Sequence, residues 1–155
     1  MNAIDAIRVG DPLPRIASVV ARAPFVIDVQ WANGEAQSVD LSPDIFTYKF
    51  YAPLRDDAKL FASVHAIRDG SAIAWGENEE IDMPATAVER LASEIMEPAD
   101  FSAFLKRNKL TYDAAAAQLG LSRRQVAYYA SEKKAPRHVA LACAFLERRF
   151  ASARR

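Results

Sequence analysis

LTYDAAAAQLGLSRRQVAYY, residues 110–129, is the stretch that decides the fold of the second half of this chain. It predicts two short helices, 112–119 and 123–131, joined by a tight turn. Gly120 suits the turn because glycine adopts a left-handed backbone conformation without steric cost. Ser122 suits the start of the second helix because its hydroxyl can accept a hydrogen bond from an otherwise unpaired amide. The pattern indicates a helix-turn-helix.

The small and apolar residues of the same stretch fit two helices that cross steeply over a short turn. Ala116 is small where the first helix has to approach the second closely, and Leu121 and Val126 fill the angle between them. Two further helices are predicted on either side of the pair, at about 100–108 and 137–151.

Glu97-Pro98 separates this helical half from the first half. Proline bars the continuation of a helix and biases the residue before it towards extended structure. We therefore expect an all-α domain over residues 98–155, preceded by a separate domain over residues 1–97.

The first half contains short runs of β-branched and aromatic residues that are typical of strands. Asn33-Gly34 predicts a hairpin, because both central residues of a two-residue type I′ turn require positive φ, and Asp69-Gly70 predicts a second. The overall prediction is an α+β fold, a small antiparallel sheet with short helices followed by the all-α domain. Strands are expected at 15–21, 25–31, 37–41, 61–67 and 72–75, and helices at 53–61 and 85–96.

Charge is divided unevenly between the two halves, although the whole chain carries 20 basic and 20 acidic residues. Residues 1–97 hold 16 acidic and 8 basic side chains, and residues 98–155 hold 4 acidic and 12 basic ones. Such an asymmetry favours contact of the basic half with nucleic acid or a membrane surface. The alternative is that two solvated surfaces differ in charge without a partner. The helix-turn-helix pattern on the basic half favours nucleic acid.

From about Phe101 to Phe150 the chain resembles the lambda-repressor/Cro-like helix-turn-helix family, often called the XRE type. The resemblance implies a domain of four or five helices whose third helix, residues 122–131, lies in the major groove of DNA, with Tyr129 as a core aromatic. The positions that carry it are Leu110-Thr111, Ala116, Leu119-Gly120, Ser122-Arg123, Val126, Tyr129, Lys133-Lys134 and Pro136.

On this resemblance, Arg123 and Arg124 open the recognition helix and are predicted to contact base edges. An arginine can donate two hydrogen bonds to O6 and N7 of guanine. Tyr128, one helical turn later on the same face, is predicted to contact a thymine methyl group or a phosphate. The alternative is that both arginines only neutralise phosphates or lie in solvent.

Six further residues are predicted to contact phosphate, which positions the domain without reading sequence. They lie at the start of the first motif helix, at the cap of the recognition helix and in the loop after it. The alternative for the three bases among them is ordinary surface charge. The six are Thr111, Tyr112, Ser122, Lys133, Lys134 and Arg137.

Residues 15–95 resemble a second family, a small bacterial domain of unknown function. The resemblance rests on Asn33-Gly34, Asp40-Leu41-Ser42-Pro43 (DLSP), Pro53-Leu54-Arg55-Asp56 (PLRD), Phe61 and Trp75, in this order. Members of that family look like partners of small toxin-like proteins in two-gene modules, or occur fused to helix-turn-helix domains. The resemblance therefore implies a partner-binding role for the first half.

An enzyme is not expected, and neither is a cofactor or a bound metal. The two histidines lack metal-ligand spacing, the single Cys143 lies in an apolar helical stretch, and no phosphate-binding glycine loop occurs. The acidic run Glu77–Asp82 is expected to be a solvated loop. No apolar run approaches the roughly 18 residues of a membrane span, so no membrane partner is expected. The single cysteine, and acids and prolines in the N-terminal stretch where a secretory signal would be basic and apolar, favour a cytoplasmic protein.

The sequence thus favours a two-domain transcriptional regulator that binds double-stranded DNA as a homodimer. In this hypothesis the first domain recognises a partner, such as a small toxin-like protein, or mediates self-association. The alternative is a protein-interaction module that neutralises a toxin without binding DNA.

Overall fold

The computed structural model describes residues 12–22 and 24–155 and divides into two compact units, with the boundary between Ala92 and Ser93. The division lies a few residues before the Glu97-Pro98 break, because Met96 pairs with Ala135 of the second unit, with Ala135 N donating to Met96 O at 2.9 Å. The fold is α+β, as predicted, with small antiparallel sheets and short helices. In the part of the chain that is described, no helix has the length and apolar character needed to cross a membrane.

The first sheet consists of strands β1 (Ile16–Arg22), β2 (Val26–Trp31) and β3 (Ala36–Asp40), antiparallel and in that order. The predicted hairpin at Asn33-Gly34 is confirmed, but its turn is not the expected two-residue one. Only Gly34 has positive φ, at 94°, and Trp31 N donates to Glu35 O at 2.8 Å across a longer loop. The side chain of Asn33 accepts a hydrogen bond from Glu35 N at 2.9 Å within this loop.

The second sheet consists of β4 (His65–Ile67), β5 (Ala72–Trp75) and β6 (Ile81–Pro84), again antiparallel and in that order. The turn at Asp69-Gly70 is confirmed, and both residues are left-handed, at φ 57° and 80°. A side chain at Gly70 would place its Cβ 2.4 Å from the Ile16 carbonyl oxygen, so the close approach of β1 requires glycine there. The expected loop at Glu77–Asp82 was only partly right, because its end forms β6.

Among its described residues, the first unit has four short α-helices, the last of which ends one residue past the boundary: α1 (Ser42–Thr47), α2 (Pro53–Asp56), α3 (Ala58–Ala62) and α4 (Ala85–Ser93). The single helix predicted over 53–61 is divided at Asp57, which is extended and whose side chain accepts from Leu60 N at 2.9 Å. The strand predicted from Phe61 starts only at His65. Phe61 belongs to α3 and stacks on Trp75, with ring centroids 6.3 Å apart, in the core between the sheets and helices.

The second unit consists of helices α5 (Pro98–Arg107), α6 (Tyr112–Leu119), α7 (Arg123–Ser131) and α8 (Arg137–Ala153), close to the four predicted helices. Its core includes fully buried Phe101, Phe104 and Val126. Tyr129 packs edge-on against Phe101, as expected of a core aromatic. Ala115, rather than Ala116, is the fully buried alanine of α6, and Ala116 is only partly buried.

Candidate nucleic-acid interface

The start of α6 and its end are fixed by local hydrogen bonds. Thr111 caps the helix, since its hydroxyl oxygen accepts from Ala114 N at 3.1 Å. Gly120 ends it in a left-handed conformation, at φ 66° and ψ 33°, and Leu121 N donates back to Ala116 O at 3.0 Å. The chain is thereby turned into α7 within three residues.

A capping box fixes the start of α7. Gln125 N donates to Ser122 Oγ at 3.1 Å, and Ser122 N donates to Gln125 Oε1 at 3.0 Å. The backbone amide of Ser122 is therefore occupied. Its hydroxyl hydrogen remains the group with which Ser122 can donate to a phosphate, because a hydroxyl carries one donor and two acceptor lone pairs.

Arg123, the first residue of α7, is held against the start of α6. Its Nε lies 3.3 Å from Asp113 Oδ1, and its guanidinium carbon lies 5.7 Å from the centre of the Tyr112 ring. The side chains of Arg123 and Asp113 are 67% and 81% exposed, so the group faces solvent. The structure thus brings together two of the predicted contact residues, Arg123 and Tyr112, with an acidic residue that the sequence analysis did not single out.

Arg124 and Tyr128 form a second exposed pair, one turn apart on α7. Arg124 Nη2 donates to Tyr128 Oη at 3.3 Å, and its guanidinium carbon lies 5.6 Å from the ring centre. The remaining donors of Arg124 stay available at the helix surface, because a guanidinium carries five N–H groups. The tyrosine supports the arginine side chain by stacking.

The predicted phosphate contacts after α7 have different surroundings. Lys134 Nζ lies 2.7 Å from Glu97 Oε1, and Arg137 Nε donates to Glu94 Oε2 at 2.6 Å. Lys133 is exposed, and within the described residues its ammonium group has no ion pair. Of these three bases, two in the loop and Arg137 at the start of α8, Lys133 is the one whose charge is not matched by a carboxylate within the described residues.

The structure therefore groups the predicted residues into two sets. One set lies at the starts of α6 and α7 and includes Arg123 and Tyr112. The other set consists of Lys134 and Arg137, which form ion pairs with Glu97 and Glu94. Sequence reasoning missed the acidic partners Asp113, Glu94 and Glu97. No periodicity or motif could have found them, because each pairs with a base distant in sequence.

Other ionisable groups occupy ordinary structural positions. Burial, with a smaller contribution from Glu147, raises the pKa of Cys143 to about 12. The pKa of His65 is raised by a hydrogen bond to the Ser63 carbonyl and by Glu79, whose Oε1 lies 3.3 Å from Nε2. Across residues 12–22 and 24–155, no three metal-ligating side chains come together.

The first unit exposes three large aromatic side chains close together in sequence. Phe46, Tyr48 and Phe50 are 56%, 53% and 52% exposed. Arg55 of the PLRD motif contacts this segment, with Nε donating to Ile45 O at 2.8 Å and its guanidinium carbon 5.6 Å from the Phe46 ring centre. We call Phe46, Tyr48 and Phe50 the aromatic row.

Comparison with known proteins gives one informative result. No protein-family model and no curated protein matches the chain. A crystal structure from Nitrosomonas europaea, described as that of a "putative DNA binding protein", is 31% identical in sequence. The match covers 86% of this chain and 86% of the Nitrosomonas chain, with a TM-score of 0.46.

Proposed function

We propose that this chain, which belongs to the same family as the Nitrosomonas europaea protein, is a sequence-specific, DNA-binding transcriptional regulator without enzymatic activity. In this proposal α6 and α7 are a helix-turn-helix of the lambda-repressor type, and α7 enters the major groove. The protein binds double-stranded DNA as a homodimer, because two half-sites about one helical turn apart add their contacts.

The observation that carries the proposal is the arrangement at the start of α7. The left-handed turn at Gly120 and the capping box at Ser122 fix where the helix begins. Arg123 and Arg124 then present guanidinium donors from its exposed first turn, with Tyr128 on the next turn. Guanidinium groups at the leading end of a fixed helix are suited to guanine edges in the major groove.

Charge supports the same assignment. The second unit, residues 93–155, carries 12 basic and 6 acidic side chains. Lys133 follows α7 with its ammonium exposed, and the hydroxyl hydrogens of Thr111 and Ser122 can donate to phosphate oxygens at the two helix starts. Contacts of this kind position a protein on the duplex and make its affinity depend on salt.

The test is binding of the full chain to a fluorescent random-sequence 20-base-pair duplex, measured by anisotropy over a salt series. We expect measurable affinity at low salt. Lys133→Ala should lower the affinity and reduce the slope of log K against log salt by about 0.9, the value for one phosphate contact. Arg149→Ala, which removes another exposed basic charge, from α8, is the matched control and should change the slope less. Equal effects of the two variants, or no binding by the unmodified chain, would contradict the proposal.

The aromatic row favours a second candidate function, a protein-interaction module that neutralises a small toxin-like protein or mediates self-association. Three half-exposed aromatic side chains within five residues are the kind of surface that protein interfaces bury. If the row mediates self-association, light scattering should show a dimer for the unmodified chain and a monomer for Phe50→Ser. Val20→Ser, which removes another exposed apolar side chain, should remain dimeric. An unmodified chain that is monomeric at every concentration measured would exclude self-association through this surface.

A further inference from the structure

Asp113 contacts Arg123 through one particular atom. The carboxylate oxygen Oδ1 lies 3.3 Å from Nε, the nitrogen at the base of the guanidinium group. The Tyr112 ring lies against the same group, 5.7 Å from its central carbon. Two residues of the first turn of α6 therefore contact the first residue of α7.

This contact divides the donors of Arg123 into two sets. A guanidinium group has one N–H on Nε and two on each terminal nitrogen. The nearest carboxylate oxygen lies at Nε, and within the described residues no hydrogen bond occupies the N–H groups of Nη1 and Nη2, so the edge that they form stays available. That edge carries two parallel donors, which match the O6 and N7 acceptors of guanine.

Both side chains are exposed, so Arg123 would otherwise sample many rotamers. Restricting a long side chain to one rotamer costs conformational entropy. If the restriction occurs only when the protein binds DNA, this cost reduces the net binding free energy. A carboxylate and an aromatic ring that hold the guanidinium group beforehand reduce that cost. The carboxylate also offsets the charge of Arg123 and so weakens its attraction to any phosphate.

We propose that Asp113 is a positioning residue that sets specificity: it holds Arg123 by Nε so that its Nη1–Nη2 edge reads one guanine. The inference rests on the proposed function, since it assigns one base contact of the helix-turn-helix to a pair of residues. Asp113 raises the affinity for the guanine-containing site by orienting Arg123, and its negative charge lowers the affinity for non-cognate DNA. Removing Asp113 should therefore lower the first affinity and raise the second, and both changes reduce specificity.

The experiment uses the full chain and a duplex enriched from a random pool by the unmodified protein. Affinities are measured for this duplex, for each single-base variant of it, and for random-sequence duplex. Asp113→Asn, which keeps the shape and removes the charge, should lower the affinity for the enriched duplex about fivefold and leave that for random duplex unchanged or higher. The loss of preference should fall at one guanine, the same one that Arg123→Ala affects.

A double-mutant cycle separates positioning from a general effect of charge. If Asp113 acts through Arg123, Asp113→Asn should cause no further loss of base preference in an Arg123→Ala background. Asp100→Asn, which removes the same charge from the first turn of α5, is the matched control and should leave the base preference unchanged. Circular dichroism and thermal unfolding of each variant show whether the fold is retained.

Each outcome bears on a different claim. If Arg123→Ala alters preference at one guanine and Asp113→Asn does not, the positioning role is wrong and the proposed function stands. If Arg123→Ala alters no preference although the chain binds duplex, the inference is also wrong. A chain that binds no duplex at low salt overturns both the inference and the proposed function.

Discussion

Ser122 and Gln125 exchange two hydrogen bonds, each one's side chain accepting from the other's backbone amide, at 3.1 Å and 3.0 Å. This capping box sets the first residue of α7 and therefore the direction in which Arg123 and Arg124 leave the helix. The geometry of the candidate interface depends on it.

Ser122→Ala should lower the free energy of unfolding of the second unit by about 1 kcal/mol, because an amide at the helix start loses its partner. Both tryptophans, Trp31 and Trp75, lie in the first unit, so their fluorescence reports on that unit alone. In urea, the helical circular dichroism signal should shift to lower denaturant while the fluorescence transition stays in place. A shift of both signals together would show that the two units unfold as one.

Residues 93–155 should fold alone, because the buried Phe101, Phe104, Val126 and Leu146 pack together within this unit. A chain cut before Ser93 should show a helical circular dichroism spectrum and a cooperative thermal transition. A chain cut before Pro98 should be less stable, since it lacks Met96 and its pairing with Ala135. An unstructured 93–155 fragment would contradict the modular organisation.

Arg124→Ala should cost roughly 1–3 kcal/mol of binding at one base position and little at the others, because it removes a guanidinium group from the exposed face of α7. Tyr128→Phe is the matched variant. It keeps the ring that lies 5.6 Å from the guanidinium carbon and removes the hydroxyl that accepts from Nη2. We expect a smaller loss from it, measured by competition among single-base variants of an enriched duplex. A uniform loss across all sequences would assign Arg124 to phosphate.

Arg90→Met should destabilise the first unit by about 1–3 kcal/mol. Arg90 Nη2 donates to both carboxylate oxygens of Asp44, at 2.9 Å and 2.7 Å, and Asp44 is 8% exposed. The effect should lie between those of an exposed and a fully buried pair, because the arginine side chain is 46% exposed. Asp44→Asn in the Arg90→Met background should recover part of the loss, since no buried charge then remains. Urea unfolding followed by tryptophan fluorescence checks both variants.

Cys143 should react with thiol reagents only on unfolding. Burial raises its pKa from 9.0 to about 12, so the folded protein holds the unreactive thiol form. Because the folded pKa is the higher one, its contribution to stability is complete below pH 9 and is lost as the pH rises from about 9 towards 12. Labelling by Ellman's reagent at pH 8, with and without urea, tests whether the thiol reacts only in the unfolded protein. The difference in the free energy of unfolding between the unmodified chain and Cys143→Ala should become smaller above pH 9. Rapid labelling of the folded chain would contradict it.

The elements that the sequence predicted well are those whose signals are local. Gly120, Ser122 and Thr111 act on amides and carbonyls within four residues, so the ends of α6 and the start of α7 follow from neighbouring residues alone. The same holds for the hairpin at Asn33-Gly34, although the length of its turn was predicted wrongly. The four helices of the second unit were therefore predicted nearly to their ends.

Phe61 shows where local preference was ambiguous. It was predicted both as the end of a helix over 53–61 and as the start of a strand over 61–67, and it lies in α3. Asp57 caps that helix, and Phe61 stacks on Trp75 from another part of the chain. The gain from burying two large rings outweighs an intrinsic preference of at most about 1 kcal/mol.

The sequence by itself determined the two halves, their opposite charges and the two short helices α6 and α7 with the exposed arginines, because caps, turns and periodicity act between neighbouring residues. Only the tertiary structure decided which charges pair. It set Asp113 at Nε of Arg123, and it matched Lys134 and Arg137 with Glu97 and Glu94, while Lys133 kept an exposed ammonium group. Such pairs depend on how the helices and their flanking segments pack together, and no residue spacing encodes that packing.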